Sequence, residues 1–570
     1  MKNFLLACVA VASSLSAFAQ TDVTPVVNKY SGDLYINLFS ENYDENSKMD
    51  AKVTVSASAE AGKVDFSLPN FAFGGMPLGD IFLPNISISQ KEDEYVFAEN
   101  PDVRFNFLAG TPNEIVADAH LNETKSYIKG DSIVAYIPVQ WIRGTGKTPI
   151  YVLFKGKVAN NLALEYGSFT NVSNWEYGKP WDSVNGYFDL SALDESDNFW
   201  NASQLTLDNF YTPKGWCIAN VTGISGVGAT IVGARMQTNE DENNPEFAAI
   251  LFNAANPLMA SQIVPGYMTL GTSWATANAM EDLSKTSDGG AFGGIEFKGK
   301  PDAIQFDYIR SHGESIPNEP ATVVAYLWKG QYKQEAVPGN TNFGPTTAVT
   351  MYGRDRNILG MNTNLGSKVT KSEDAACIAS VVKSIEGDQE TFKTMTIDLD
   401  YGTFAGTDVQ PDSLNIIFAA NDYFGDRTKI GVDNALAVNN IKLLYYHDLK
   451  NVTYGGKAVT FSEDNSATLT SVYHADELSF TKVGEGAIVV KTYDEKTGLL
   501  TIRVEAQDVR FNPEAVTTYT IQFALVPEAI NDAKAEVAPA TKQSIYTLDG
   551  CRVATPIKGV NIVNGKKVIK

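Results

Sequence analysis

At 570 residues the chain is too long for one hydrophobic core, and 44% hydrophobic with 11% aromatic residues supplies enough apolar surface for about three or four domains. Its 67 acids against 45 bases leave a formal charge of −22, the wrong sign for holding phosphates. This argues against nucleic acid as a partner and for a solvated acidic exterior.

Lys2 is a short basic start, Phe4 to Ala12 an apolar core and Ala17-Phe18-Ala19 a small-residue cleavage pattern. Residues 1–19 therefore read as a bacterial-type signal peptide, with the mature chain starting at Gln20. Lipidation at Cys8, after Leu5-Leu6-Ala7, is the weaker reading because the apolar stretch before the cysteine is short. No later stretch approaches the ~20 apolar residues of a membrane span, so a secreted or outer-surface protein is expected. Export leaves Cys217, Cys377 and Cys551. Cys217 and Cys377 either pair or stay single as small buried hydrophobes, and the unpaired reading is favoured.

Residues 26–158 form a chain of short alternating runs: Leu34/Ile36/Leu38, Val53/Val55/Ala57, Val64/Phe66/Leu68, Ile86/Ile88, Ile115/Ala117, Val134/Tyr136 and Ile150/Val152/Phe154. Turn signals at short spacing favour a barrel or sandwich. The stretch Phe71-Ala72-Phe73-Gly74-Gly75-Met76-Pro77-Leu78-Gly79-Asp80-Ile81-Phe82-Leu83-Pro84-Asn85-Ile86 resembles the calycin-like β-barrel domain family of secreted bacterial proteins. That resemblance implies an up-and-down barrel, which is either filled by its own side chains or holds one small ligand; the filled state is expected. Arg143-Gly144-Thr145-Gly146-Lys147-Thr148 ends like a phosphate loop, but Trp141 stands where the leading glycine belongs. Strand-like Ile150 to Phe154 follows instead of a helix, so the segment reads as a hairpin turn.

In residues 161–446, Ile304, Phe306 and Tyr308 alternate with Ala303, Gln305 and Asp307 as in a half-buried strand. Further apolar runs lie at Thr322 to Trp328, Met395 to Leu399, Leu414 to Ala420 and Leu436 to Tyr446. Three of them are apolar on both faces (Val323, Val324, Leu327; Ile416, Ile417, Phe418; Leu443, Leu444), as in strands covered on two sides. The ordered set Gly266-Tyr267-Met268-Thr269-Leu270-Gly271, Gly299-Lys300-Pro301-Asp302-Ala303-Ile304-Gln305-Phe306-Asp307-Tyr308, Pro411-Asp412-Ser413-Leu414-Asn415-Ile416-Ile417-Phe418-Ala419-Ala420 and Val432-Asp433-Asn434-Ala435-Leu436 resembles the family named "putative carbohydrate-metabolism domain". The resemblance covers roughly 161–446 and implies a β-jelly-roll sandwich akin to carbohydrate-binding modules, with no catalytic motif.

Beyond it, Asn451-Val452-Thr453-Tyr454-Gly455-Gly456-Lys457 and the runs at Ile488/Val490, Leu500/Ile502/Val504 and Tyr519/Ile521/Phe523 read as a small immunoglobulin-like β module over 447–526. Residues 527–542, rich in Ala, Pro, Glu and Lys, read as a linker. In 543–570, Leu548-Asp549-Gly550 and Asn564-Gly565-Lys566 resemble the C-terminal sorting tail of type IX secretion substrates, expected here as a short β-hairpin. Secretion machinery is the partner this resemblance implies. The fold class is thus all-β and multi-domain.

The chemistry-bearing residues point to binding. Trp175, Trp181, Trp200, Trp216 and Trp274 are five of the seven tryptophans, and loop-borne aromatics beside carboxylates suit sugar rings and their hydroxyls. Most large aromatics are core residues, so two places stand out: Trp274 in Gly271-Thr272-Ser273-Trp274, and Tyr423 with Asp422 and Asp426 in Asn421-Asp422-Tyr423-Phe424-Gly425-Asp426. The acidic loops Asp194-Glu195-Ser196-Asp197-Asn198 and Glu240-Asp241-Glu242-Asn243-Asn244 suit a structural calcium in their oxygen content but lack the calcium-loop pattern. No other cofactor is implied. His120, His312, His447 and His474 show no metal-ligand spacing, and no Ser-His or Cys-His arrangement stands out. A non-catalytic binder of oligosaccharide or polysaccharide is therefore expected. A glycoside hydrolase with dispersed carboxylates and a structural surface or adhesin protein are the alternatives.

Overall fold

The computed structural model describes residues 22–45, 48–73, 76–170, 174–177, 211–218, 230–236, 246–256, 259–277, 287–316, 318–335, 350–361, 369–426, 429–525 and short strands within 545–569. The expected signal peptide, both acidic calcium-type loops, Trp181, Trp200 and the 527–542 linker lie outside them. The chain divides into two units, Met1–Asn161 and Leu162–Lys570.

The first unit is a closed antiparallel barrel. Its strands are β1 (Asn28–Leu38), β2 (Met49–Ala57), β3 (Lys63–Phe73), β4 (Met76–Lys91), β5 (Glu94–Phe97), β6 (Val103–Phe107), β7 (Ile115–Ala119), β8 (Tyr127–Lys129), β9 (Ser132–Arg143) and β10 (Gly146–Val158). The order β10-β1-β2-β3-β4-β5-β8-β9 returns to β10, and β7 and β6 extend from β9. Closure leaves none of these eight strands with a free edge. Where β1 crosses β10, Gly32 lies opposite Gly156. A Cβ on Gly32 would sit 2.1 Å from the Lys155 carbonyl oxygen, so the backbones meet where only glycine fits.

Val53, Val55, Val64, Phe66, Leu68, Ile86 and Phe154 point into the barrel at 4% exposure or less, as their alternation requires. In β9 the inward set is Ile133, Ala135, Ile137 and Val139. Val134 and Tyr136, the pair that marked this strand in the sequence, stand on the other face. Both alternate sets of β9 are apolar enough to pass for the core set, and period two alone cannot choose between them. Arg143 to Thr148 is the β9–β10 hairpin, with Arg143 opposite Gly146 and Gly144 at φ 60°.

The second unit is built on two packed antiparallel sheets. The six-stranded sheet runs Cys217–Ile218, Tyr267–Thr269, Ser413–Ala419, Ala321–Lys329 and Ala376–Ile385, with Ile295–Glu296 also pairing to Ser413–Ala419. The five-stranded sheet runs Thr230–Met236, Glu246–Phe252, Ala435–Leu444, Ala303–Ser311 and Gln389–Asp398. Ile304, Phe306, Leu436 and Val438 from the second meet Val323, Ala325, Leu327, Leu414, Ile416 and Phe418 from the first. The alternate residues Val324, Tyr326, Trp328 and Ile417 are also buried, on the outer face of the six-stranded sheet. The two doubly apolar runs of this sheet are thus strands covered on both sides, whereas in the third Leu443 is buried and Leu444 half-buried.

Cys217 and Cys377 are not bonded to each other and lie on opposite edge strands of the six-stranded sheet. Four strand spacings of about 4.8 Å separate their strands by roughly 19 Å, far beyond disulfide reach. Peptide mapping without reductant should show no Cys217–Cys377 disulfide peptide; finding one would contradict this register.

A smaller two-sheet module follows. Leu449–Tyr454, Lys457–Ala458 and Leu478–Lys482 make one sheet, and Ser466–Thr468, Val516–Gln522, Leu499–Glu505 and Ile488–Asp494 the other. Tyr454, Leu500, Ile502, Val504, Ile521 and Phe523 fill its core. At the C-terminus, Ile545–Thr547, Arg552–Val553, Val560–Val563 and Lys566–Ile569 form one four-stranded sheet, where the sequence reading expects a simple hairpin. Ile545–Thr547 pairs antiparallel with Arg552–Val553, and Val560–Val563 with Lys566–Ile569.

Candidate functional site

The outer face of the six-stranded sheet carries a polar cluster under a lid of three short pieces: the Thr272–Ala277/Ser287–Phe292 hairpin, the helical turn Asp355–Ile358 and the turn at 421–426. Asn415, fully buried on Ser413–Ala419, anchors the hairpin. Its Oδ1 accepts from the Thr269 hydroxyl at 2.7 Å and the Gly271 N–H at 3.1 Å, and its Nδ2 donates to the Tyr326 hydroxyl at 2.8 Å. Thr322 fixes the turn, its hydroxyl donating to the Asn421 carbonyl at 2.9 Å and accepting from the Tyr423 N–H at 3.2 Å.

Asp355 ties these pieces together. Its Oδ2 accepts from the Tyr423 hydroxyl at 2.7 Å and the Ala291 N–H at 3.3 Å; its Oδ1 accepts from the Arg356 N–H at 2.6 Å and lies 3.7 Å from Arg354 Nε. Both Arg354 and Asp355 are 0% exposed. Arg354 Nη1 donates to Gln334 Oε1 at 3.1 Å, and Asn357 Nδ2 reaches the same oxygen at 2.8 Å. Burial pushes the Asp355 carboxyl above its ordinary range, against the pull of Arg354 and the Tyr423 hydroxyl. Burial, with the Asp355 charge beside it, also raises the Tyr423 phenol well above its usual value. Gly290 sits where the pieces converge, at φ 134°; a Cβ there would come within 2.6 Å of Asp355 Oδ2 and 3.0 Å of the Tyr423 hydroxyl. Tyr267 donates to its carbonyl at 2.9 Å.

Of the residues singled out in the sequence, Trp274 lies in a strand rather than a turn, opposite Gly290. That pairing brings its backbone to the place where Tyr423 Oη also arrives. Tyr423 itself is half-buried, edge-on to Tyr267 at 5.2 Å and to Phe424 at 4.8 Å. It is no free-standing platform, because its hydroxyl is spent on Asp355. Asp422 and Asp426 are exposed, and Asp426 Oδ2 lies 3.5 Å from Lys429 Nζ. Trp216 is core, with its indole N–H on the Tyr166 carbonyl at 2.8 Å. Sequence reasoning missed Asp355, Tyr267 and Arg356, whose guanidinium lies 5.2 Å from the Phe424 ring centre. No local pattern marks them, since they act across the fold.

The buried carboxylate is enclosed by protein donors, so its role is to hold the rim rather than meet a ligand. What the rim offers is Asp422 and Asp426 as exposed acceptors, with the half-buried rings of Tyr423 and Phe424 beside them. Among the described residues, no group of three or more His, Cys, Asp or Glu side chains fits a metal ion.

In the first unit the interior is packed, with Tyr30, Val53, Val64, Phe66, Ile81, Ile137, Val152 and Phe154 all at 0% exposure. A pocket of about 330 Å³ lies elsewhere, lined by Asp22, Val23, Ala57, Ser58 and Glu60 to Lys63. The family model described as "Calycin-like beta-barrel domain" matches residues 26–157. Residues 26–157 are thus the calycin-like part of the chain.

No curated protein matches the chain. Solved structures similar to it include a "putative glycoside hydrolase" from Bacteroides thetaiotaomicron VPI-5482, 9% identical, covering 75% of this chain and 100% of that one at a TM-score of 0.24. A second "putative glycoside hydrolase", from Bacteroides vulgatus ATCC 8482, is 12% identical over 37% of this chain and 76% of its own, with a TM-score of 0.23. A "putative outer membrane protein" from Bacteroides fragilis NCTC 9343 is 16% identical over 23% of this chain and 50% of its own, with a TM-score of 0.16. No helix among the described residues is long and apolar enough to cross a membrane.

Proposed function

We propose that the chain is an exported, non-catalytic carbohydrate-binding protein that takes an oligosaccharide at the 421–426 rim beside the Trp274 hairpin. The observation that carries this reading is the pairing of exposed Asp422 and Asp426 with the half-buried rings of Tyr423 and Phe424 on a turn anchored to a buried network. A pre-ordered rim loses little freedom on binding, and carboxylates beside ring faces match sugar hydroxyls and C–H faces. The resemblance of 161–446 to a carbohydrate-metabolism family supports the same class of ligand. Export would rest on residues 1–19, and contact with secretion machinery on 543–570.

Each ring stack contributes about 1 kcal/mol beyond area burial, so affinities in the micromolar to millimolar range are expected. A glycan array on the mature chain selects the ligand and calorimetry measures it. Asp422→Asn with Asp426→Asn should weaken binding about tenfold at an unchanged melting temperature, since both side chains are exposed. Tyr423→Ala is a poor probe because it also removes the partner of Asp355. Absence of binding to any glycan would leave the structural surface reading standing, and release of reducing sugar would move the protein to the hydrolases.

A further inference from the structure

The helical turn Asp355–Ile358 sets two guanidiniums against one buried carboxylate. Asp355 is already matched by Arg354, whose Nε lies 3.7 Å from its Oδ1, both side chains being 0% exposed. Arg356 comes next on the same turn, and its charge acts on Asp355 more weakly than that of Arg354. It touches the carboxylate with its backbone N–H, at 2.6 Å. Its half-buried side chain runs instead to the rim, where the guanidinium carbon lies over the Phe424 ring, 5.2 Å from the ring centre. Among the described residues, no oxygen accepts a hydrogen bond from that guanidinium. Arg310, by contrast, donates to the Gly387 and Glu319 carbonyls, and Lys298 and Lys333 pair with Glu296 and Glu335. Arg354, Asp355 and Arg356 thus leave one positive charge in excess beneath the rim. Of the two exposed acids above it, Asp426 lies 3.5 Å from Lys429 Nζ, and Asp422 turns its Oδ2 toward Gly425, where a Cβ would come within 2.5 Å of it.

We propose that the rim takes an acidic oligosaccharide, with the carboxylate of a uronic acid or the sulfate of a sulfated sugar seated on the Arg356 guanidinium. This rests on the rim being the sugar site. A planar guanidinium presents paired N–H donors that match two oxygens of one carboxylate or sulfate, a fit that a lysine ammonium cannot give. Packing over Phe424 holds the side chain in place before the ligand arrives, and half-burial strengthens a charge pair formed there. With ring contact but no oxygen partner, this guanidinium keeps its hydrogen-bonding capacity for a group from outside. The sugar's hydroxyls then fall to Asp422 and Asp426, and Lys429 offsets the nearer repulsion from Asp426. The chain's formal charge of −22 opposes any anion at long range, but ordinary salt screens that repulsion beyond about 10 Å, whereas a contact pair survives.

Calorimetry on the full mature chain tests this, with oligogalacturonate, oligoglucuronate and a sulfated oligogalactan each set beside its methyl-esterified or desulfated form. At least one acidic probe should bind about tenfold or more tighter than its uncharged form, the order expected for a charge-assisted pair. The carboxylate and sulfate arms show which anion the guanidinium takes. Arg356→Gln should erase the difference and Arg356→Lys should keep only part of it, with melting temperatures reporting that both variants fold. Should Arg356→Gln not fold, phenylglyoxal labelling of arginines in the natural chain takes its place, and the tightest acidic probe should shield Arg356 in the peptide map. Acidic and uncharged forms bound equally, a preference that persists in folded Arg356→Gln, or Arg356 labelled as fast with the probe as without it would each overturn the acidic ligand. Binding of an uncharged glycan in those cases leaves the rim reading in place. Binding to none of these probes and to no glycan on the array would overturn both.

Discussion

Asp355→Ala should destabilise the second unit by about 3–5 kcal/mol, the range for removing one partner of a buried charge pair. The carboxylate is 0% exposed and so is Arg354, whose Nε lies 3.7 Å away; water cannot replace the lost charge. The Tyr423 hydroxyl and the Ala291 N–H would lose their acceptor in the same step, at about 1–3 kcal/mol for each buried polar group left unmet. Asp355→Asn keeps the size and one acceptor oxygen, so it should cost less than the alanine change. Denaturant melts of the three chains give the comparison. An alanine variant within about 1 kcal/mol of the natural chain would show that this network is not what holds the 421–426 turn.

Phe418→Ala should cost a similar 3–5 kcal/mol, for a different reason. Phe418 is fully buried between the sheets, edge-on to Phe306 at 5.0 Å and 78° and 6.1 Å from the Trp216 ring. Phe306 sits on a strand paired on both sides, and Phe418 does too, so neither backbone can move in to fill the hole. The cost is then transfer of the ring plus the cavity it leaves. Val382→Ala on the edge strand Ala376–Ile385, where the side chain is 46% exposed, is the control and should stay within about 0.5 kcal/mol. Equal losses for the two variants in the same melt would mean that the sandwich core is not close-packed around Phe418.

Much of the strand inventory was legible because period two is a local property. Ile304, Phe306 and Tyr308 announced their strand, and Ile416, Ile417 and Phe418 announced burial on two faces, which the structure provides with the inter-sheet core on one side and Tyr326, Trp328 and Ile358 on the other. The hairpin at Arg143 to Thr148 was readable from one tryptophan standing in a glycine's place. The candidate site was legible only in part. Asp422 and Asp426 are exposed as their turn suggested, but the tie between Tyr423 and Asp355 crosses 68 residues of sequence. Nothing near either residue announces the other.

The sequence by itself determined which segments become strands, that both units are β structure, and where acids and aromatics fall in turns, since these follow from alternation and turn chemistry within a few residues. Only the tertiary structure decided which alternate set of β9 points inward, that Cys217 and Cys377 stand on opposite edges of one sheet, and that Lys300 and Asp302 hold the sandwich to the following module. Each of those outcomes depends on contacts between segments far apart in the chain: Asp302 meets Glu485 across 183 residues, and Lys300 meets Gln507 across 207. Local propensity gives a side chain its direction, but only the packed partner gives it a neighbour, and with it a charge state and a role.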